Sequence, residues 1–219
     1  MQEVKKNQAK IAQDRAMGKA LKLVVRCMLE TSIITASEAN YLKGMIHEKK
    51  VGVDHYVPTE NEVADALAEL PPPEHAIYTA LLYSGLRISE IDFIVQKYHS
   101  LKVQEMGKFL KISLIRSEGN KNSFFCYVPH SVWKALERER KNPRVVSRTK
   151  SYISRNKLLP MKYLRKYFYT SAIGAGCPGE VADFMQGRVQ RTIGGVHYLG
   201  VQRLADEWYL KVVEGIMKK

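Results

Sequence analysis

The stretch "KFLKISLIRSEGNKNSFFCYV", residues 108–128, reads as a β-hairpin: strand-like alternation, the turn "EGNKN" at 118–122, then an aromatic strand. On both sides of it the chain reads as helix. Upstream, Thr59 and Glu62 form a T-x-x-E capping box, followed by Val63, Ala66, Leu67 and Leu70 at helical spacing. "PPP" at 71–73 stops that helix. Next comes "EHAIYTALLYSGLRISEIDFIV", residues 74–95, mostly apolar and therefore buried, with Arg87 at its Gly-broken centre. From Ser131 the chain returns to helices. A hairpin set among helices predicts an α+β fold, mainly α-helical, with a small antiparallel sheet.

Composition bounds what such a fold does. With 219 residues the chain can bury one good core and a small appendage. A break near "HEKKVGVDHYVPTENE", residues 47–62, separates a basic, helix-leaning leader from the rest. Lys and Arg number 35 against 22 Asp and Glu, a formal net charge of +13, which calls for a polyanionic partner such as nucleic acid or an anionic membrane surface. No apolar run reaches the roughly 18 or more residues of a membrane span, and the polar amino terminus is not a signal peptide. Cys27, Cys126 and Cys177 are odd in number and far apart, which points to a reducing, intracellular (cytoplasmic) compartment rather than a disulfide framework or a zinc site.

Several residues invite chemistry. Arg87, on a buried helix, needs a partner: Glu90 three residues on, or a phosphate held by two oxygens of a planar guanidinium. In "LPMKYLRKYFYTSAIGAG", residues 159–176, Pro160 suits a helix start and Gly174 and Gly176 its end, so Lys162 and Arg165 share a face. Alone, K-x-x-R is a common solvated surface pattern. An amphipathic segment then ends in Gly187 and Arg188, and ten residues later Tyr198 stands in "GGVHYLG", behind two glycines. Tyr167 and Tyr169 share the helix of Arg165. Tyr209 lies in a regular tail whose Leu204, Trp208 and Val212 mark a packing stripe.

In this order the parts resemble the tyrosine recombinases, or phage-type integrases. "LLYSGLRISEI" is similar to that family's first box, "A-TGLR-ISE". "KYLRKYFYTSAIGAG" is similar to its second, H-x-x-R-H-x-x-A-T-x-x-x-x-x-G, and "MQGR" and "VHYLG" stand where an "LGH" element and the tyrosine nucleophile follow. The resemblance spans about residues 57–215. Lys162 replaces the usual His of the second box and Arg188 the usual His or Trp of the third element, as in integrases of archaeal viruses and plasmids. Because Lys titrates near 10.4 where His titrates near 6.5, Lys162 acts mainly as a donor at neutral pH.

The resemblance implies a site-specific DNA recombinase that cleaves and rejoins strands through a 3′-phosphotyrosyl bond. Tyr198 is the nucleophile, and Arg87, Arg165, Lys162 and Arg188 surround the phosphate. For a leaving-group acid the family uses a lysine in the hairpin between its second and third strands: Lys121, with Lys111 and Arg116 as alternatives because register cannot be fixed from sequence. The partners implied are double-stranded DNA and further copies of the chain, as a dimer to tetramer on DNA. Residues 1–56 correspond to a helical remnant of an amino-terminal DNA-clamping domain with its linker, and 57–219 to the catalytic domain.

Residue chemistry alone leads to the same place. A phenol attacking a phosphodiester creates a doubly charged, five-coordinate arrangement that needs cations aimed at its non-bridging oxygens, and guanidinium groups supply them without a metal or other cofactor. A glycine pair lets the tyrosine align. Type IB topoisomerase chemistry and a non-catalytic DNA-binding module are the rival expectations.

Overall fold

In the computed structural model, the described residues are 15–46, 52, 54–118, 121–188 and 195–217; side chains are described for these except at 15, 16, 115–118, 121, 122, 195–199 and 217. The amino-terminal leader to residue 14, the hairpin turn at 119–120 and the approach at 189–194 lie outside them. The chain divides between His55 and Tyr56 into two compact units. In the first, helices α1 (Arg15–Glu30) and α2 (Ala36–Met45) pack on each other, with Val25 and Ala39 buried. A capping box of Thr35 and Glu38 starts α2.

The second unit opens with α3 (Glu60–Ala68), capped by the Thr59–Glu62 box that the sequence predicts. Helix α3 ends before the prolines, and they begin the next helix instead: Pro72 is the first residue of α4 (Pro72–Ser84), a position where the missing N–H costs nothing. What the sequence suggests as one Gly-broken helix is two. Gly85, at φ +63°, ends α4, and Arg87 is the extended N-cap residue of α5 (Ile88–Lys97). Arg87 therefore stands at a helix mouth rather than in a buried helix, which frees its side chain to reach across the fold.

After a 3₁₀ turn at Tyr98–Ser100 comes an antiparallel sheet, β1 (Lys102–Glu105), β2 (Phe109–Glu118) and β3 (Lys121–Pro129), in that order. The predicted hairpin is β2–β3, with Glu118 paired to Lys121. Between Ser113 and Arg116 the pairing shifts by one residue, a β-bulge that turns the strand. Helices α6 (His130–Glu139), α7 (Val145–Arg155), α8 (Lys162–Gly174), α9 (Gly179–Met185) and α10 (Gly195–Met217) complete the unit. They bear out the α+β expectation.

Helix α4 is the hub. Ile77, Tyr78, Ala80, Leu81 and Leu82 are buried along it, and it packs against α6, α7, α8 and β3. Its buried Glu74 pairs with Arg148 of α7 at 2.8 Å. Helix α10 covers the sheet face that carries Phe109, Lys111 and Tyr127: the Tyr209 ring lies 4.9 Å from Phe109 and 5.3 Å from Tyr127, and its hydroxyl donates to the Tyr83 carbonyl. The buried line of α10 is Ala205, Tyr209, Val212, Val213 and Ile216, so Val212 belongs to it while Leu204 and Trp208 pack only at its edge.

Candidate active site

Three helix ends meet at one place. Arg87 caps α5 while its backbone N–H donates to Glu90 Oε2 at 2.6 Å, and its Nη1 donates to Glu90 Oε1 at 2.7 Å and to the Gly187 carbonyl at 3.1 Å. Glu90 is buried and also accepts from the Ser123 hydroxyl of β3. Arg165, from the first turn of α8, donates through Nη1 to the Gly85 carbonyl at 3.0 Å and lies 4.0 Å from Glu90 Oε2. The glycines that end α4 and α9 thus each turn a carbonyl to an arginine from another segment. Both have positive φ, +63° at Gly85 and +65° at Gly187, the region that glycine enters without a Cβ clash.

Arg188 follows Gly187. It pairs with Asp183 of α9 at 3.4 Å and its guanidinium lies 5.5 Å from the Tyr169 ring centre. Burial lowers the Arg165 pKa, and the positive charges of Arg87 and Arg188 push it further, to about 9 against the pull of Glu90 and Asp183. Arg165 is still charged at neutral pH. In this cluster three guanidinium groups face two carboxylates, so it keeps a surplus of positive charge.

The polar accounting is incomplete at the same spot. Among the described residues, two buried side-chain atoms lack a hydrogen-bond partner: Arg165 Nη2 and Gln186 Oε1. The second belongs to a fully buried glutamine whose Nε2 donates to the Arg165 carbonyl. Buried donors and acceptors are nearly always paired, and these two orphans belong to residues 21 apart in the chain that meet through the Gln186–Arg165 hydrogen bond.

The other candidate residues fall as follows. Lys162 is exposed at the start of α8, one turn ahead of Arg165, with its ammonium 4.4 Å from the Tyr163 ring centre. Lys121 opens β3, and its side chain, like that of Arg116, lies outside the described residues. Lys111 is buried, paired with Asp206 of α10 at 2.7 Å and 4.6 Å from the Phe125 ring centre, which makes it a docking residue of that helix. Tyr198 is the fourth residue of α10, in its first turn. The backbone of Tyr198 is thus helical, while Gly194, the first of the glycine pair, and the side chains of His197 and Tyr198 lie outside the described residues. Six residues, 189–194, join Arg188 to that helix, and α9 and α10 pack together.

Sequence reasoning finds Arg87, Arg165, Arg188 and the Arg87–Glu90 pair. It misses Gln186 and Asp183, although a glutamine directly after the apolar Phe184 and Met185 is a signal, because a polar residue at a core position must answer to something.

Residues 55–215 match the family described as archaeal phage integrase, and the chain belongs to that family. It is thus a DNA integrase in the general sense, a DNA-binding recombinase, and DNA is the polyanion that its charge demands. A comparison with curated proteins finds no match. No described helix is long and apolar enough to cross a membrane.

Proposed function

We propose that the chain is a tyrosine-type site-specific recombinase in which Tyr198 attacks a DNA phosphodiester held by Arg87, Arg165 and Arg188. The observation that carries this reading is the convergence of Arg87 and Arg165 on the buried Glu90, with Arg188, paired to Asp183, close enough for its charge to act on Arg165. Such a cluster, pre-set by glycine carbonyls and Glu90, meets developing negative charge without reorganising. A phosphodiester brings one negative charge, and the transition state adds a second.

In this mechanism the phenol gives its proton to water as its oxygen bonds to phosphorus, and the bond to the 5′-oxygen breaks as that oxygen takes a proton. The product is a 3′-phosphotyrosyl linkage and a free 5′-hydroxyl, and attack by the 5′-hydroxyl of another strand reverses the step. The first turn of α10 is the positive end of that helix's dipole, which favours the anionic forms of a tyrosine placed there. Lys162, next to the cluster in sequence, donates to the phosphate, and Lys121 on the hairpin protonates the leaving oxygen. Residues 1–56 act as the remnant of a DNA clamp, and the active form on DNA is a homo-oligomer, dimer to tetramer.

The test uses a suicide duplex that traps the covalent intermediate. Wild-type protein should give a DNA-linked species resistant to denaturant. Tyr198→Phe should give none while binding DNA within a few-fold, since one hydroxyl is lost from an otherwise unchanged basic surface. An undiminished adduct in the variant sinks the assignment.

A further inference from the structure

We propose that the groove between α5, α7 and α8 seats the backbone of the DNA strand that runs on from the arginine cluster. This rests on the reading above. The groove encloses about 510 Å³. Its floor is apolar, from Ile88, Ile153 and Met161, and its rim carries Lys150, Lys157 and Lys162. Among its described lining residues there is no Asp or Glu. Apolar walls under three ammonium groups fit a strand whose sugars present carbon and whose phosphates present charge.

Position ties the groove to the site. Ile88 directly follows Arg87 in the chain, and Lys162 precedes Arg165 by one helical turn. A strand whose phosphate lies on the arginines therefore has this groove as one continuation. Lys150 and Lys157 are exposed, and no described carboxylate forms an ion pair with either.

Lys157 carries the strongest argument, because it occupies a place meant for glycine. It has φ +56°, in the left-handed region. The end of α7 is a Schellman motif, in which the Leu158 N–H donates to the Ile153 carbonyl at 3.0 Å and the Lys157 N–H to Ser154 at 3.4 Å. Helices α8 and α9 end with the same bond pattern, and there the left-handed residues are Gly176 and Gly187. A side chain in that conformation costs stability unless it is Gly. Among the described residues no carboxylate pairs with this exposed, left-handed lysine, although it also borders a pocket lined by Glu62, Asp65 and Glu69, and its charge stands at the lip of the groove beside the site.

The experiment measures duplex affinity across a salt series for wild-type protein and for Lys150→Gln, Lys157→Gly, the double variant and Lys157→Arg. Each phosphate contact contributes about 0.9 to the slope of log K against log salt, so each single loss should flatten the line by about 0.9 and the double by about 1.8. Lys157→Arg should keep the wild-type slope. Lys157→Gly should melt at the same temperature as wild type or higher, because it relieves strain, while binding DNA more weakly. An unchanged slope in the double variant, with wild-type binding steeply salt-dependent, overturns the groove alone. A lowered melting temperature in Lys157→Gly also overturns it, since the lysine would then be structural. Wild-type affinity that ignores salt overturns the groove and the recombinase reading together.

Discussion

Gly85 works in two ways at once. Its φ of +63° is open to glycine, and a Cβ there would stand 2.4 Å from Phe168 Cδ1 and 3.0 Å from Gln186 Nε2. Its carbonyl also holds Arg165. Gly85→Ala combines a left-handed penalty of about 1–2 kcal/mol with overpacking of about 1–3 kcal/mol, so it should lose at least about 2 kcal/mol in denaturant unfolding. A change below about 0.5 kcal/mol would mean that α4 and α8 do not meet as closely as described. The lysines are also separated at this scale. Lys111 is committed to Asp206, and the acid of the proposed mechanism is Lys121, the first residue of β3. Lys121→Ala should cleave an ordinary duplex slower by roughly 10² to 10⁴-fold, the range of general-acid assistance. Replacing the bridging 5′-oxygen with sulfur, a leaving group that needs no proton, should restore the variant to nearly the wild-type rate. A defect that persists in full on sulfur rules out Lys121 as the acid.

Helix α10 is held to its own chain by contacts that sequence spacing does not reveal. Asp206 accepts from Lys111 Nζ at 2.7 Å and from the Tyr127 hydroxyl at 2.8 Å, across 95 and 79 residues. Lys111 is only 3% exposed, so Asp206→Ala would strand a charge in the core, a loss of roughly 3–5 kcal/mol for a buried pair. Adding Lys111→Met should recover part of that loss in unfolding experiments, and strict additivity of the two substitutions would show that the pair is not coupled. The contrast with Arg87 and Glu90 is instructive, because three residues along one helix start is a spacing that can be read directly. The T-x-x-E box of α3 and the hairpin are equally local and equally legible. Strand β1 is not, since all four of its residues are exposed and no alternation marks it. Register beyond Ser113 is hidden as well, because the bulge changes which face each later residue takes. The break at Gly85 is visible in the sequence, but its consequence for Arg87 is not: placing that arginine at a cap depends on α4 and α5 being separate helices.

At the scale of the whole molecule, family, fold and charge agree. The match over residues 55–215 falls within a few residues of the compact unit Tyr56–Lys219, and that unit contains Arg87, Arg165, Arg188 and the helix of Tyr198. The basic surplus of +13 suits a DNA partner, and in the proposed reading the arginine cluster fixes one phosphate of it. The central claim is that the DNA becomes bonded to one named tyrosine. The direct measurement is to trap wild-type protein on a suicide duplex, digest with nuclease and trypsin, and find by mass spectrometry which peptide carries the nucleotide. Cleavage after Arg191 and Arg203 isolates residues 192–203, in which Tyr198 is the sole tyrosine. The account predicts the nucleotide on that peptide, at Tyr198. A nucleotide on any other peptide, or trapped complexes with no covalent nucleotide at all, would contradict it.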